Sequence, residues 1–263
     1  PLISNAQKNQ SFLYKKGLSL IDKEKYADGI KVFTTLIENK YKLNTTYYNR
    51  GICYFNLQMY KESLYDFEKD LKFDPSDTSA FYFRGKSKLE LKDTLGALSD
   101  LNHGLKLDSN LHILLAEKAE ILSDLEKYDS SIYFMNKAIL IDTSYIYDYY
   151  IRGQDYYMID SFSLSLKDLN RVIKNDSLEG GAFITRGKIY KEFKQYSDAI
   201  SDFTKVISMY PNSAEAYLQR GLVNYELDNL EDSYMDIFKA AELGSEHAKK
   251  LLDIAKARRV TTT

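Results

Sequence analysis

Arginine and aspartate recur at one fixed separation along this chain of 263 residues. The pairs that lie 16 residues apart are Arg50 and Asp66, Arg84 and Asp100, Arg152 and Asp168, Arg186 and Asp202, and Arg220 and Asp236. A guanidinium presents a planar fork of N–H donors that fits both oxygens of a carboxylate. The spacing therefore predicts five ion pairs that fix the geometry of neighbouring elements. A catalytic role for these carboxylates is the alternative reading.

The other residues with potential for catalysis or metal binding form no recognisable constellation. His103, His112 and His247 have neither a second histidine nor a cysteine at metal-ligand spacing. Cys53 is the one cysteine and aligns with apolar residues, which predicts a buried, inert thiol. Gly180-Gly181 lacks the Lys-Ser/Thr of a phosphate-binding loop. We therefore expect a protein that is not an enzyme and that needs no metal and no cofactor.

Composition excludes further classes of function. Lys and Arg number 36 and Asp and Glu number 38, for a formal net charge of −2, so the basic coat of a nucleic-acid-binding protein is absent. No apolar run approaches the ~20 residues of a membrane span. We expect a soluble protein with no transmembrane segment. Because the chain begins at Pro1 and not at Met, we also expect a truncated or processed N-terminus. The compartment stays open between the cytoplasm and an exported or periplasmic location.

Small residues recur with a period of 34 residues. The glycines at this period or at twice its length are Gly17, Gly51, Gly85, Gly153, Gly187 and Gly221, and Ala119 fills the one gap. With the small residue placed eighth, seven frames follow without insertion: 10–43, 44–77, 78–111, 112–145, 146–179, 180–213 and 214–247. The fourth and twenty-fourth positions are large and apolar in all seven frames, and the twentieth is always small.

The spacing within a frame predicts two short helices. Positions four, eight and eleven form one helical stripe, and positions twenty, twenty-four and twenty-seven form another. Small residues at positions eight and twenty allow the two helices to approach closely. One helical hairpin cannot bury its apolar surface alone, so we expect each frame to pack on its neighbours in sequence.

This pattern resembles the tetratricopeptide repeat family over residues 10–247, although the family's common Trp at position four is here Tyr, Phe or Leu. The resemblance implies an all-α fold, a right-handed α-solenoid superhelix of seven helix-turn-helix repeats whose first helices line a concave groove. Residues 1–9 are expected to be an N-terminal tail. Residues 248–263 are expected to form a C-terminal capping helix and tail, with a basic amphipathic membrane helix as the alternative.

By the same resemblance, four positions of each first helix (five, nine, twelve and thirteen) face the groove. The candidate binding residues there are Tyr14, Leu18, Ile21, Tyr48, Ile52, Phe55, Tyr82, Glu90, Asp124, Tyr150, Tyr157, Glu192, Leu218, Tyr225 and Glu226. Tyrosine offers a large contact area and a hydroxyl, which suits recognition, while packing is the alternative role. The acidic residues favour a basic ligand, while a solvated helix end is the alternative.

The family's clamp for acidic chaperone tails is absent, because only Asn49 matches its pattern of lysines, asparagines and arginine. We therefore expect a non-catalytic protein–protein interaction scaffold that binds a protein or an extended peptide, basic or aromatic in character, in the groove. The alternatives are a structural or self-assembly module of a multiprotein envelope or secretion complex, or the regulatory segment of a larger enzyme. Self-association is left open.

Overall fold

The computed structural model describes residues 5–175 and 180–261. These residues form fifteen α-helices and contain no strand, which confirms the all-α fold class. The helices are α1 (Asn5–Asp22), α2 (Tyr26–Glu38), α3 (Leu43–Asn56), α4 (Tyr60–Phe73), α5 (Thr78–Glu90), α6 (Thr94–Leu107), α7 (His112–Asp124), α8 (Tyr128–Ile141), α9 (Ile146–Met158), α10 (Phe162–Asn175), α11 (Gly180–Glu192), α12 (Tyr196–Met209), α13 (Ala214–Glu226), α14 (Leu230–Glu242) and α15 (Glu246–Thr261).

Helix boundaries follow the 34-residue frame. The helices α5, α7, α9, α11 and α13 each begin at the first residue of a frame. The chain is also helical at both ends of the part that the structure describes. Helix α1 begins at Asn5, because Asn5–Asn9 contain neither glycine nor proline to end it. Helix α15 begins at Glu246, after Gly244 with φ 96° and a Ser245 hydroxyl that accepts from the Ala248 N–H. Residues 1–4, 262 and 263 lie outside the described residues.

Contacts divide the chain into two compact units, one ending at Asp124 and the other beginning at Leu125. In the first unit, three core clusters join successive helices, and they centre on Phe33, Phe67 and Leu101. In the second unit, the corresponding clusters centre on Phe203, Phe183 and Ile237. Most of these clusters combine the second helix of one frame with the first helix of the next, so burial is shared between neighbours.

In the first, second and sixth frames the eighth position must be small because a phenylalanine ring lies against it. A methyl group at Gly187 would lie 2.7 Å from Cε1 of Phe203. The third frame has Leu101 in place of that phenylalanine, and a methyl group at Gly85 would meet its nearest neighbour, the Ala97 carbonyl oxygen, at 3.4 Å. The tolerance for a larger eighth residue therefore differs between frames.

A left-handed residue ends the first helix of every frame. These residues stand at the fifteenth position and are Glu24, Gln58, Lys92, Glu126, Asp160, Lys194 and Asp228. In the second frame the N–H of Met59 donates to the Tyr54 carbonyl and that of Gln58 to the Phe55 carbonyl, both at 2.9 Å. This is the pattern of a Schellman C-cap, which usually uses glycine.

Within the described residues, no helix combines the length and the apolar character that crossing a bilayer requires.

Candidate functional site

Each of the five Arg and Asp pairs is brought together in the fork geometry that their spacing predicts. In the second frame, Arg50 Nε donates to Asp66 Oδ2 at 2.7 Å and Arg50 Nη2 donates to Oδ1 at 2.8 Å. The other four pairs repeat this arrangement at 2.5 to 2.9 Å. All five aspartates are buried. The forks therefore join the two helices of one repeat through bidentate hydrogen bonds.

A third hydrogen bond from the same arginines was missed by sequence reasoning. Arg Nη1 reaches back to the twenty-fifth position of the preceding frame, as in Arg50 to Thr34 at 3.0 Å and Arg186 to Asn170 at 2.6 Å. The bonds to Asn136 and Thr204 follow the same rule, and Lys118 reaches Asn102 at 2.7 Å. The signal in the sequence is a column of Thr and Asn placed 16 residues before the cation. The forks of Arg50, Arg152, Arg186 and Arg220 thus also connect consecutive repeats.

In the Arg50–Asp66 fork, burial is the largest influence on the pKa of both groups. Burial raises the pKa of Asp66 above its ordinary value, and the bonds from Arg50 offset only part of that effect. Burial opposes the charge of Arg50, but Asp66 still raises its pKa. The guanidinium lies 5.6 Å from the ring centroids of both Tyr47 and Tyr54. Because its donors and the Asp66 oxygens are engaged with each other and with Thr34, the cluster suits a structural role.

The first unit presents a face that we call the N-terminal groove face: the side of α1, α3, α5 and α7 that carries Tyr14, Tyr48, Tyr82, Lys86 and Glu117. The three tyrosines are half-buried and each packs on a core cluster. The remaining candidate residues on α1 and α3, which also pack inward and keep one accessible side, are Leu18, Ile21, Ile52 and Phe55. Rigid, partly accessible aromatic side chains suit contact with a ligand.

Polar side chains cross between α5 and α7 on this face. Lys86 Nζ lies 3.2 Å from Glu117 Oε2, and the Tyr82 hydroxyl donates to the same oxygen at 3.4 Å. Glu117 is 9% exposed. Burial raises the pKa of Tyr82, and Glu117 raises it further. Lys86 is therefore already paired, while the candidate acids Glu90 and Asp124 lie exposed at the ends of their helices.

A cavity of about 150 Å³ opens between the first turns of α5 and α7. We call it the α5–α7 cavity; the residues that line it are Thr78, Ser79, Tyr82, Phe83, Leu111, Ile113 and Leu114. Its lining is mainly apolar, with two hydroxyl-bearing residues at the start of α5. Ile113 is 50% exposed. The cavity is therefore accessible and has room for a single side chain.

Asp70 of α4 is a buried carboxyl group in a column that is otherwise apolar or small. It is 1% exposed, and its Oδ2 has no hydrogen-bond partner among the described residues. Burial, followed by the charges of Asp77 and Asp74, raises the pKa of Asp70 to about 7. Burial and the charges of Asp77 and Asp70 raise the pKa of Tyr48 to about 12. This acid, which the sequence interpretation overlooked, lies close to a candidate groove residue.

The second unit has a corresponding C-terminal groove face, the side of α9, α11 and α13 that carries Tyr150, Tyr157, Lys188, Glu215 and Tyr225. The two tyrosines of α9 are half-buried, and Tyr225 is exposed. Lys188 Nζ lies 2.7 Å from Glu215 Oε1. Burial alone would raise the pKa of Glu215, but the bond from Lys188 lowers it below its ordinary value. Here too the lysine is paired within the protein.

The last candidate residues differ in accessibility. Glu192 and Glu226 are exposed. Leu218, which was expected in the groove, is 2% exposed because it packs with Ile237 and Ala248 under α15. Leu222 packs on the same cluster. Leu218 can therefore contact a partner only if α15 moves away. The repeat pattern of residues 10–247 could not predict that α15 packs over Leu218.

Groups suited to catalysis are not assembled in the part of the chain that the structure describes. No cluster of three or more His, Cys, Asp or Glu residues that could hold a metal ion occurs there. Cys53 is buried, and burial raises the pKa of its thiol to about 12, which makes the nucleophilic thiolate scarce at neutral pH. His103 stacks on Phe81 with ring centroids 5.7 Å apart.

Comparison with known proteins follows the repeat pattern. Models of the tetratricopeptide repeat match residues 45–77 and residues 184–248. No curated protein sequence matches the chain.

Solved structures of similar fold include a tetratricopeptide repeat protein from Parabacteroides merdae, which is 18% identical, covers 94% of this chain and 98% of its own, and has a TM-score of 0.67. The structure of MamA is 26% identical over 63% of this chain and 96% of its own, with a TM-score of 0.57. YrrB, described as a TPR protein with an unusual peptide-binding site, is 20% identical over 70% of this chain and 97% of its own, with a TM-score of 0.60.

Proposed function

The chain belongs to the tetratricopeptide repeat family, and we propose that it is a non-catalytic scaffold that binds a protein or an extended peptide on its N-terminal groove face. The fold is that of protein-interaction scaffolds in general. The observation that carries the proposal is the row of Tyr14, Tyr48 and Tyr82, each fixed in a core cluster and half-accessible. Aromatic side chains held in this way lose little conformational freedom on binding.

Two features favour the N-terminal groove face over the C-terminal one. On the N-terminal face Tyr82, the third tyrosine of the row, lines the α5–α7 cavity. On the C-terminal face, the apolar candidates Leu218 and Leu222 pack under α15. YrrB supports peptide binding as the mode of use, because its description names such a site on the same fold.

The charges on the N-terminal groove face favour a basic or aromatic partner. Lys86 is neutralised by Glu117, whereas Glu90 and Asp124 are exposed. A ligand with lysine, arginine or an aromatic ring complements such a surface, and an acidic ligand is repelled by it.

Photo-cross-linking tests the location. A benzoylphenylalanine introduced at Ser79, on the N-terminal groove face, is expected to capture the partner from native extract, and one introduced at Tyr65 of α4 is not. With the captured protein purified, Tyr82→Ala is expected to weaken binding about tenfold or more, as an interface anchor does, and Tyr65→Ala is expected to leave it unchanged. Tyr65 is 51% exposed, so its truncation leaves the core intact. Capture at Tyr65 alone, or normal binding by a folded Tyr82→Ala variant, contradicts the proposal.

Self-association is a second candidate function, and it rests on α14. Its exposed side carries Leu230, Tyr234, Met235 and Phe238, and Tyr234 and Phe238 stack with centroids 6.1 Å apart. An apolar group of this size often marks a protein interface. Light scattering across a concentration series separates the two candidates: mass that rises with concentration and returns to the monomer value in Met235→Lys favours assembly. The remaining alternative, a regulatory segment of a larger enzyme, has no comparable surface to support it.

A further inference from the structure

The α5–α7 cavity is built as a receptacle for one apolar side chain. Its floor consists of side chains that already belong to two adjacent core clusters, Phe83 in one and Leu111 and Leu114 in the other. Its rim carries Ser79, exposed Ile113 and the ring of Tyr82. In another protein, an engineered cavity of about 150 Å³ lined by Leu, Ile and Phe binds benzene. A volume of about 150 Å³ therefore suits a side chain the size of Leu, Ile, Met or Phe.

The surroundings on the α3 side of this cavity are negatively charged. Asp77 caps α5 by accepting the N–H groups of Ser79 and Ala80 at 2.8 and 3.0 Å. Asp70 is nine-tenths buried or more, and its Oδ2 has no hydrogen-bond partner within the described residues. Neither Asp77 nor Asp70 forms an ion pair with a described residue. The charges of both groups raise the pKa of Tyr48. The half-buried carboxylate of Asp77, next to an apolar cavity and without an ion-pair partner among the described residues, favours a cation at the cavity edge.

The opposite side is electrically balanced. Lys86 and Glu117 pair at 3.2 Å, and Lys86 also lies 5.6 Å from the ring centroid of Tyr82. A ligand group placed there meets no free charge of either sign from this pair. The charge preference of the cavity is therefore set by the side of α3 and the turn before α5.

We propose that the α5–α7 cavity selects extended peptides in which a Leu-, Ile-, Met- or Phe-sized side chain stands next to a lysine or arginine. The apolar side chain enters the cavity, and the cation lies beside the half-buried carboxylate of Asp77 at the start of α5. This inference rests on the proposed peptide-binding function and specifies the ligand of the same face. Burial of the apolar side chain supplies affinity, and the basic neighbour supplies selectivity.

A positional-scanning library of short, terminally blocked peptides tests the selection directly. The full chain is immobilised, and the retained peptides are sequenced. We expect enrichment of Leu, Ile, Met or Phe at one position and of Lys or Arg beside it, with acidic residues depleted there. A labelled consensus peptide is then titrated against variants. Ser79→Trp fills the rim and is expected to weaken binding about tenfold or more, because the apolar side chain is excluded.

Tyr65→Trp is the control, since Tyr65 lies on α4, outside the N-terminal groove face, and is 51% exposed. It is expected to bind the consensus peptide like the unaltered chain. Identical selection by Ser79→Trp and the unaltered chain overturns the cavity proposal and leaves peptide binding intact. Enrichment of acidic or small residues overturns it as well. Retention of no peptide at all overturns both this inference and the binding of extended peptides on the N-terminal groove face.

Discussion

Two junctions between repeats use equivalent positions but differ in the charge of the buried residue at the twenty-seventh position. At the junction of the second and third repeats, Phe67 packs with Ala80; at the junction of the sixth and seventh, Val206 packs with Ala216, and Phe203 lies in the adjoining cluster. The twenty-seventh position is Asp70 in the first junction and Val206 in the second, and each is 1% exposed. The first junction thus buries a carboxyl group where the second buries a hydrocarbon.

The difference separates stability from recognition. A buried carboxyl group with an unpartnered oxygen costs free energy that valine does not. The junction that carries this cost lies beside Tyr48 and the α5–α7 cavity, on the face proposed to bind ligand. No proposed binding surface adjoins the Val206 junction, because Leu218 and Leu222 of the last repeat pack under α15. Retaining a destabilising acid at one junction is consistent with a role in binding.

The largest expected effect comes from making the two junctions alike. The pKa of Asp70 rises from 3.8 to about 7 on folding, so the native state holds its proton more tightly than the unfolded state does. The contribution of Asp70 to the free energy of unfolding is therefore most favourable below pH 4. It falls as the pH rises towards 7 and is constant above that pH. Asp70→Val is expected to raise the free energy of unfolding at pH 8 by up to ~4 kcal/mol.

Urea unfolding at pH 5 and pH 8 measures this effect. The gain from Asp70→Val should be clearly larger at pH 8, and the reciprocal change Val206→Asp should lower stability most at pH 8. Other carboxylates are common to variant and parent, so the difference between them isolates Asp70. A gain that is equal at both pH values would show that Asp70 does not titrate in this range.

The next largest effect concerns the Arg and Asp forks and should be the same in the second and the sixth repeat. Arg50–Asp66 belongs to the second repeat and Arg186–Asp202 to the sixth, with the same fork geometry. Arg186→Leu leaves the Asp202 carboxylate buried without its cation, which is expected to cost about 3 kcal/mol, and Arg50→Leu is expected to cost a similar amount. The double variant Arg186→Leu with Asp202→Leu should recover much of the loss, because no charge is then left unpaired.

Chemical denaturation of the single and double variants checks this coupling. The control is the exposed pair Lys239–Glu242, where Lys239→Ala is expected to cost less than ~1 kcal/mol. A double variant as unstable as Arg186→Leu alone would mean that packing, and not charge, accounts for the loss.

The forks could be predicted from the sequence because the residue types at two frame positions are correlated within this single chain. Frames with Arg at position seven have Asp at position twenty-three, so the contact could be inferred without coordinates. The third bond, such as Arg186 to Asn170, could not, since Asn and Thr are common polar residues that carry no comparable sign of a partner. The burial of Leu218 was missed for a different reason: it depends on where α15 packs, which no periodicity within the seven frames encodes.

The 34-residue rhythm itself predicted the helix pairs, because small residues at positions eight and twenty are needed wherever two helices nearly touch. The burial of Asp70 was not predicted from the sequence, because Asp70 is the exception in its column. The twenty-seventh position is apolar or small in the other six frames. A repeat pattern predicts the burial of residues that recur, but it assigns no role to a single charged residue that departs from the pattern. The exception becomes visible only when burial and missing partners are known.

A smaller effect tests whether close helix contact is equally strict along the chain. A methyl group would lie 2.7 Å from the Phe203 ring at Gly187 and 3.0 Å from the Phe67 ring at Gly51. Gly187→Ala is expected to destabilise by about 1–3 kcal/mol through overpacking, and Gly51→Ala by a similar or smaller amount. Gly85→Ala is the control, where alanine fits and favours the helix by up to ~1 kcal/mol. Thermal unfolding of the three variants gives the order, and a loss at Gly85 equal to that at Gly187 refutes the steric explanation.

The smallest expected effect concerns the turns and should not distinguish the two junctions. Gln58 in the second frame and Lys194 in the sixth both have φ 59°, a conformation that costs a residue with a side chain roughly 1 kcal/mol and costs glycine little. Gln58→Gly and Lys194→Gly are each expected to stabilise the protein by up to ~1 kcal/mol, measured by thermal unfolding. Both residues are exposed, so no packing is lost. If only one of the two substitutions stabilises, the turns carry a constraint that differs between repeats, and the contrast between the junctions then extends beyond Asp70.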